Sequence, residues 1–240
     1  MTTVEVRRGT DRAVTEAPWL TSRHSFSFGD YYDPGNTHHG LLLVNNEDIV
    51  LPRSGFHTHP HREMEIVTWV LSGALTHHDS AGNSGVVYPG LAQRMSAGTG
   101  ITHSEMNESA GEPVHFVQMW VVPDTAGREP GYQQRDIADD LAGGALVAVA
   151  SGRGQAAITI GNAGATLYAA RLQPGNSVEL PDAPYLHLFL PVGKVSLQGS
   201  GELDAGDAVR FTGRGGQLVT ATAPAELLIW AMHSGLGART

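Results

Sequence analysis

Residue patterning points to an all-β chain made of two similar small β-folds, either barrels or sandwiches, in tandem. Three observations carry this. Glycine occurs 30 times and proline 13 times in 240 residues, where glycine averages about 7%. Short runs rich in Val, Leu, Ile, Tyr and Trp recur between these turn-formers, with no sustained helical period. A faint repeat of strand, glycine, strand, turn and strand runs through both halves: Trp69-Val70-Leu71-Ser72-Gly73 before Pro89-Gly90, then Phe189-Leu190-Pro191-Val192-Gly193 before Ala205-Gly206.

In the first half the strand-like segments are 40–44, 64–71, 74–78, 85–88 and 115–122. In the second they are 145–150, 166–172, 185–191, 194–197, 207–211 and 226–231. Turn clusters such as Asp79-Ser80-Ala81-Gly82-Asn83 and Pro174-Gly175-Asn176 separate them. A short helix is predicted around 134–141. Proline, glycine and charge concentrate in 123–135, which places a junction between domains 1–128 and 129–240.

Composition narrows the function classes. Fifteen basic against 24 acidic side chains give a net charge of −9, and the lysines and arginines form no run, which argues against direct nucleic-acid binding. The first twenty residues lack the apolar core of a signal peptide. No uncharged apolar run approaches the roughly 20 residues that span a bilayer, so the chain reads as cytoplasmic with no membrane partner. Cysteine is absent, which excludes disulfides, thiolate metal ligands and thiol catalysis. Histidine is the informative residue. Ten of the twelve lie within the first 115 positions; only His187 and His233 lie beyond.

The segment Gly55-Phe56-His57-Thr58-His59-Pro60-His61-Arg62-Glu63-Met64-Glu65 is the densest. Side chains alternate along a strand, so His57, His59, His61, Glu63 and Glu65 share one face if the strand is regular throughout. Pro60 suits an edge strand or a strand entry. About forty residues later His103 and Glu105 again share a face. A lone histidine on a strand is ordinarily a hydrogen-bonded or exposed side chain. Two such pairs on two strands of one small barrel can converge on one ion.

His59-x-His61-x-x-x-Glu65 with Gly73, then Gly90 leading to His103-x-x-x-Asn107, resembles the two motifs of cupins. Further stretches narrow the resemblance to the pirin family: Phe26-Ser27-Phe28, Tyr31-Tyr32-Asp33-Pro34, Val44-Asn45-Asn46-Glu47-Asp48, His78-Asp79-Ser80-x-Gly82-Asn83, Met95-Ser96-Ala97-Gly98-Thr99-Gly100-Ile101-x-His103-Ser104-Glu105 and Gln118-x-Trp120. The match is dense over 20–125 and follows only the layout elsewhere.

The resemblance implies two cupin-type β-barrels in tandem, a bicupin with few short helices. It implies one divalent transition metal in the N-terminal barrel, held by His59, His61, His103 and Glu105. Fe(II) is the first choice, with Mn, Co, Ni, Cu or Zn as alternatives. Other cupins draw a carboxylate from the first motif, which would be Glu65. His57 has the parity to compete and is expected near the mouth. In the second half, Glu179, Pro181, Val219 and Ala221 occupy the corresponding places, so that barrel is expected to hold no metal.

The resemblance further implies a dioxygenase that cleaves a flavonol such as quercetin with O2 and release of CO, with Glu105 accepting the substrate proton. Some pirins act instead as iron-dependent, redox-sensing transcriptional cofactors that bind a protein partner. A bicupin acting on a non-flavonol small molecule is a further alternative. Glu65, Gln93, Thr102, His115 and Gln118 are candidates to hold the metal ligands, and Phe56, Met95, Met119 and Trp120 to wall the pocket.

Overall fold

The alternation of buried and exposed side chains resolves into strands almost everywhere in the computed structural model, which describes residues 2–237. The first half supplies β1 (Thr3–Arg7), β2 (Ala13–Ala17), β3 (Leu20–His24), β4 (Leu42–Val50), β5 (Ser54–His61) and β6 (Glu65–Ser72). They are followed by β7 (Leu75–Asp79), β8 (Ser84–Val87), β9 (Leu91–Ser96), β10 (Ile101–Asn107), β11 (Val114–Val121) and β12 (Gly131–Asp136). The described helices are a 3₁₀ turn at Gly9–Asp11 and a single turn at Ala138–Leu141. The helix expected from residue 134 is therefore shorter. Residues up to Asp136 pair with β9 instead, and the Asp136 carboxylate accepts the Ala138 N–H at 2.9 Å to open the helical turn.

A seven-stranded sheet in the order β12-β9-β6-β11-β4-β3-β2 faces a four-stranded sheet in the order β5-β10-β7-β8. The second half repeats this seven-plus-four division. The expected barrels are thus cupin-like pairs of facing sheets rather than closed ladders. Two strands cross between the halves. β1 pairs antiparallel with Ala208–Thr212 of the second half's large sheet, and β12 completes the edge of the first half's large sheet on β9.

Apolar residues on both faces of the central strands explain how the halves join. Val67 and Trp69 of β6 and Met119 of β11 are fully buried with Leu228, Trp230 and Met232 of the second half in one core, and the Trp230 indole N–H donates to the Met119 sulfur at 3.2 Å. Burying such side chains stabilises by about 1.5–3 kcal/mol each, so the large sheets are fused back to back. The opposite face of the first half's large sheet carries a polar rung. Strand register lines up His24, Asn46, Gln118, Thr68 and Gln93 across five strands. The corresponding interior of the second half is filled by Val178, Leu180, Leu197 and Val219.

Candidate metal centre

The alternating pattern of β10 buries Ile101, His103, Glu105 and Asn107 on one face. β5 lies beside it as an edge strand, as Pro60 requires, with His103 opposite His59 and Ile101 opposite His61. A register shift then sets Glu105 opposite Phe56. Gly55 allows the close approach: a Cβ there would sit 2.2 Å from the Glu105 carbonyl oxygen.

His59, His61 and His103 converge, each offering a ring nitrogen within 4.8 Å of the others'. Glu105 falls in an overlapping group with His103 and His77. The ring contacts fix the tautomers. His59 Nδ1 lies 2.7 Å from the His57 carbonyl oxygen, which can only accept, so Nδ1 carries the hydrogen and Nε2 keeps a free lone pair. Asp79 lies 3.2 Å from His77 Nε2 and makes it the donor. His77 Nδ1 is then an acceptor for His103 Nδ1–H at 3.4 Å, which leaves His103 Nε2 bare. The Nε2 atoms of His61 and His103 are buried with no hydrogen-bond partner. Buried ring nitrogens without a partner are costly, and a cation is the group that three converging imidazoles suit.

Electrostatics keep the His61 and His103 rings neutral. Burial, reinforced by the His103 and His59 rings, pushes His61 down to about 4. Burial, with the His59 and His77 rings adding to it, pushes His103 down to about 3. Neutral imidazole is the form that ligates. Glu105 is held by both oxygens: Gln118 donates to one at 2.7 Å and Thr68 to the other at 3.3 Å. The Trp120 indole N–H donates to the Gln118 carbonyl at 3.0 Å, which orients the amide. With no thiolate available, a nitrogen-and-oxygen donor set fits a first-row divalent ion.

A cavity of about 320 Å³ opens onto His59, His61 and Glu105. Phe28, Phe56, Leu20 and Trp120 form its apolar walls, and Trp120 meets the His61 ring edge-on at 4.8 Å.

Several sequence candidates lie elsewhere. Strand β5 ends at His61 and Glu63 has φ of 50°, so the face predicted to run on through Glu63 and Glu65 is broken. Glu65 accepts from Ser96 at 2.7 Å and its carboxylate lies against Gly161 of the second half. His57 is exposed. His115 turns to Glu47 at 2.9 Å, Met119 packs between the halves, and Met95 clusters with Ile66 and Ile101. The Thr102 backbone N–H is bonded to Ser80. His77, Asp79, Thr68, Asp48 and His24 escaped the sequence reading. His77 and Asp79 share a two-residue spacing that could have flagged them.

The Pirin family profile matches residues 6–121. A Mycobacterium tuberculosis protein, named provisionally as a quercetin 2,3-dioxygenase, is 65% identical over 237 residues, covering 98% of this chain and 97% of the relative. The chain belongs to the pirin family. Among solved pirin structures, YhhW from Escherichia coli superimposes with a TM-score of 0.89 at 31% identity, over 97% of this chain and 98% of its own. The same bacterial pirin in complex with nickel(II) gives a TM-score of 0.88 at 30% identity, over 97% and 100%. An Escherichia coli protein named quercetin 2,3-dioxygenase is 46% identical over 132 residues, 55% of this chain and 57% of that one. This pirin has no helix among the described residues long and apolar enough to cross a membrane.

Proposed function

We propose that this pirin is a metal-dependent dioxygenase that opens the central ring of a flavonol such as quercetin with O2 and releases CO. The supporting observation is the convergence of the ring nitrogens of His59, His61 and His103 beside a cavity that His59, His61 and Glu105 line. The relatives' names supply the substrate class. His59, His61, His103 and Glu105 are the proposed ligands of one divalent ion, with Fe(II) first and nickel supported by the YhhW complex. When bound, such an ion supplies Lewis acidity toward an enolate oxygen and electron exchange with O2.

The chain's own residues do the rest. Phe28, Phe56 and Trp120 wall a slot for a flat aromatic ligand and keep water out. Glu105 takes the proton of the flavonol 3-hydroxyl at its carboxylate oxygen, and Gln118 and Thr68 hold that carboxylate in place through the transfer. The domain limits near residue 128 and a metal-free second half belong to the same proposal; its apolar interior of Val178, Leu180 and Val219 supports the latter.

The test is to strip the protein, reload it with Fe(II), Mn(II), Co(II), Ni(II) or Cu(II), and follow quercetin absorbance together with O2 uptake and CO. Turnover with at least one metal is expected, with one metal per chain. No turnover with any of them overturns the flavonol reading. Turnover that survives both Glu105→Ala and His103→Ala overturns the site.

A further inference from the structure

We infer that Asp48 forms a second polar subsite in the cavity, which accepts a hydrogen bond from a peripheral hydroxyl of the substrate and so selects polyhydroxylated aromatics over bare ones. This rests on the flavonol reading above and goes beyond it by assigning how the far part of the molecule is read.

The register of the large sheet places this residue. β4 and β11 pair Asn46 with Gln118 and Asp48 with Phe116, and β3 sets Ser22 beside Asp48 and His24 beside Asn46. Asp48 therefore stands one rung further along the face that carries Gln118, the residue that holds Glu105. It lines the same cavity as His59, His61 and Glu105.

The rungs differ in how their polar groups are satisfied. His24 is bonded on both nitrogens, to Thr15 at 2.8 Å and to Asn46 at 2.9 Å. Asp48 is only 4% exposed, and its Oδ1 has no hydrogen-bond partner. Ser22 stands beside the carboxyl on the neighbouring strand. Rotation about the last side-chain torsion exchanges the two oxygens, so the carboxyl offers one acceptor more than the protein fills.

No cation on that face neutralises it. Glu105 lies across the cavity, and the nearest guanidinium, Arg12, is held at 2.6 Å by Glu47, whose side chain leaves the opposite face of β4. A buried carboxyl oxygen with no hydrogen-bond partner is costly to retain. Retention on the wall of a cavity points to a ligand that completes it. The walls between are apolar: Leu20, Phe28 and Phe56. A flat aromatic body with a hydroxyl donor at its periphery fits both features.

The test uses nickel-loaded protein without oxygen and compares two probes. Quercetin carries hydroxyls on its outer rings; 3-hydroxyflavone has the same enol and none of them. Dissociation constants come from the absorbance shift of each flavonol. Wild type is expected to favour quercetin. Asp48→Leu and Asp48→Ala, which leave no acceptor, are expected to weaken quercetin by about tenfold or more and 3-hydroxyflavone by less than about twofold, because only the hydroxylated ligand loses a partner. Metal content equal to wild type shows that each variant has kept its fold. If wild type binds both probes and the variants weaken both equally, or neither, the Asp48 assignment is overturned while the flavonol reading stands. If wild type binds neither probe, the flavonol reading fails and this assignment with it.

Discussion

Gln118 donates its side-chain amide to the Glu105 carboxylate at 2.7 Å, from the large sheet to the small one. This contact ties the two sheets together at the candidate metal centre and sets the direction of the carboxylate. Replacing Gln118 by Leu leaves the proposed ligand but frees it to turn. Metal affinity is expected to fall by about 10–100-fold. Competition with a chelator measures this directly. Unchanged affinity would mean that Thr68 alone suffices to hold Glu105.

The run from Asp79 through His77 to His103 predicts a similar loss by a different route. Asp79→Asn removes the acceptor that makes His77 Nε2 a donor, so His77 Nδ1 no longer reliably accepts from His103. The tautomer with a bare His103 Nε2 loses its bias. A drop of about 10–100-fold in metal affinity is expected, together with altered imidazole resonances for His103 in metal-free protein. An unaltered proton position on His103 would refute the relay.

Gly55 makes a steric prediction. An alanine Cβ would fall 2.2 Å from the Glu105 carbonyl oxygen and 2.7 Å from Met106 Cα. Because the obstacle is backbone, β10 must move. Gly55→Ala is expected to destabilise by about 1–3 kcal/mol, the range for overpacking, and to weaken metal binding by displacing Glu105. Thermal melts with and without nickel separate the two effects: the metal-induced rise in Tm should shrink as well as the baseline.

Acid should destabilise the fold, and His187 is one source. It is fully buried, with neither ring nitrogen hydrogen-bonded. Burial, helped by the nearby Arg210 cation, pushes its pKa well below 6.5. In the unfolded chain the ring takes up a proton below about 6.5, while in the fold it stays neutral. The unfolded state then binds more protons, and stability falls as pH falls from that point. At pH 5.5 the expected cost is about 1.4 kcal/mol for this one group, or about 3–6 °C in Tm for a chain of this size. His187→Leu should lessen the loss of Tm between pH 7.5 and 5.5 by that amount. Parallel curves for the two proteins would count against it.

Much of the candidate centre's geometry was legible before any coordinates. The two-residue spacings of His59 with His61 and of His103 with Glu105 place each pair on one strand face, and β10 keeps that alternation throughout. Glu65 misled because parity holds only within a strand, and the chain turns between His61 and Glu65, with Glu63 at positive φ. The support of the ligands was harder to read. His77 meets His103 through strand order within the small sheet, and Thr68 meets Glu105 across the two facing sheets; no sequence spacing encodes either. Asp48 stood only at the end of the stretch 44–48, beyond the strand predicted over 40–44, until its register neighbours were known. β1 and β12 were invisible for the same reason: their partners, Ala208–Thr212 and β9, lie far away or beyond a turn-rich segment.

That crossing of strands has a consequence for how such a protein can be divided or inherited. A gene cut near residue 128 would send β12 away with the second half and strand β1 with the first. Each product would lose an outer strand and expose a ladder of unpaired amides and carbonyls, along with the Trp69–Trp230 face. The half that carries the histidines is therefore not a detachable module. Its apparently idle companion travels with it as the other side of a mutual clasp.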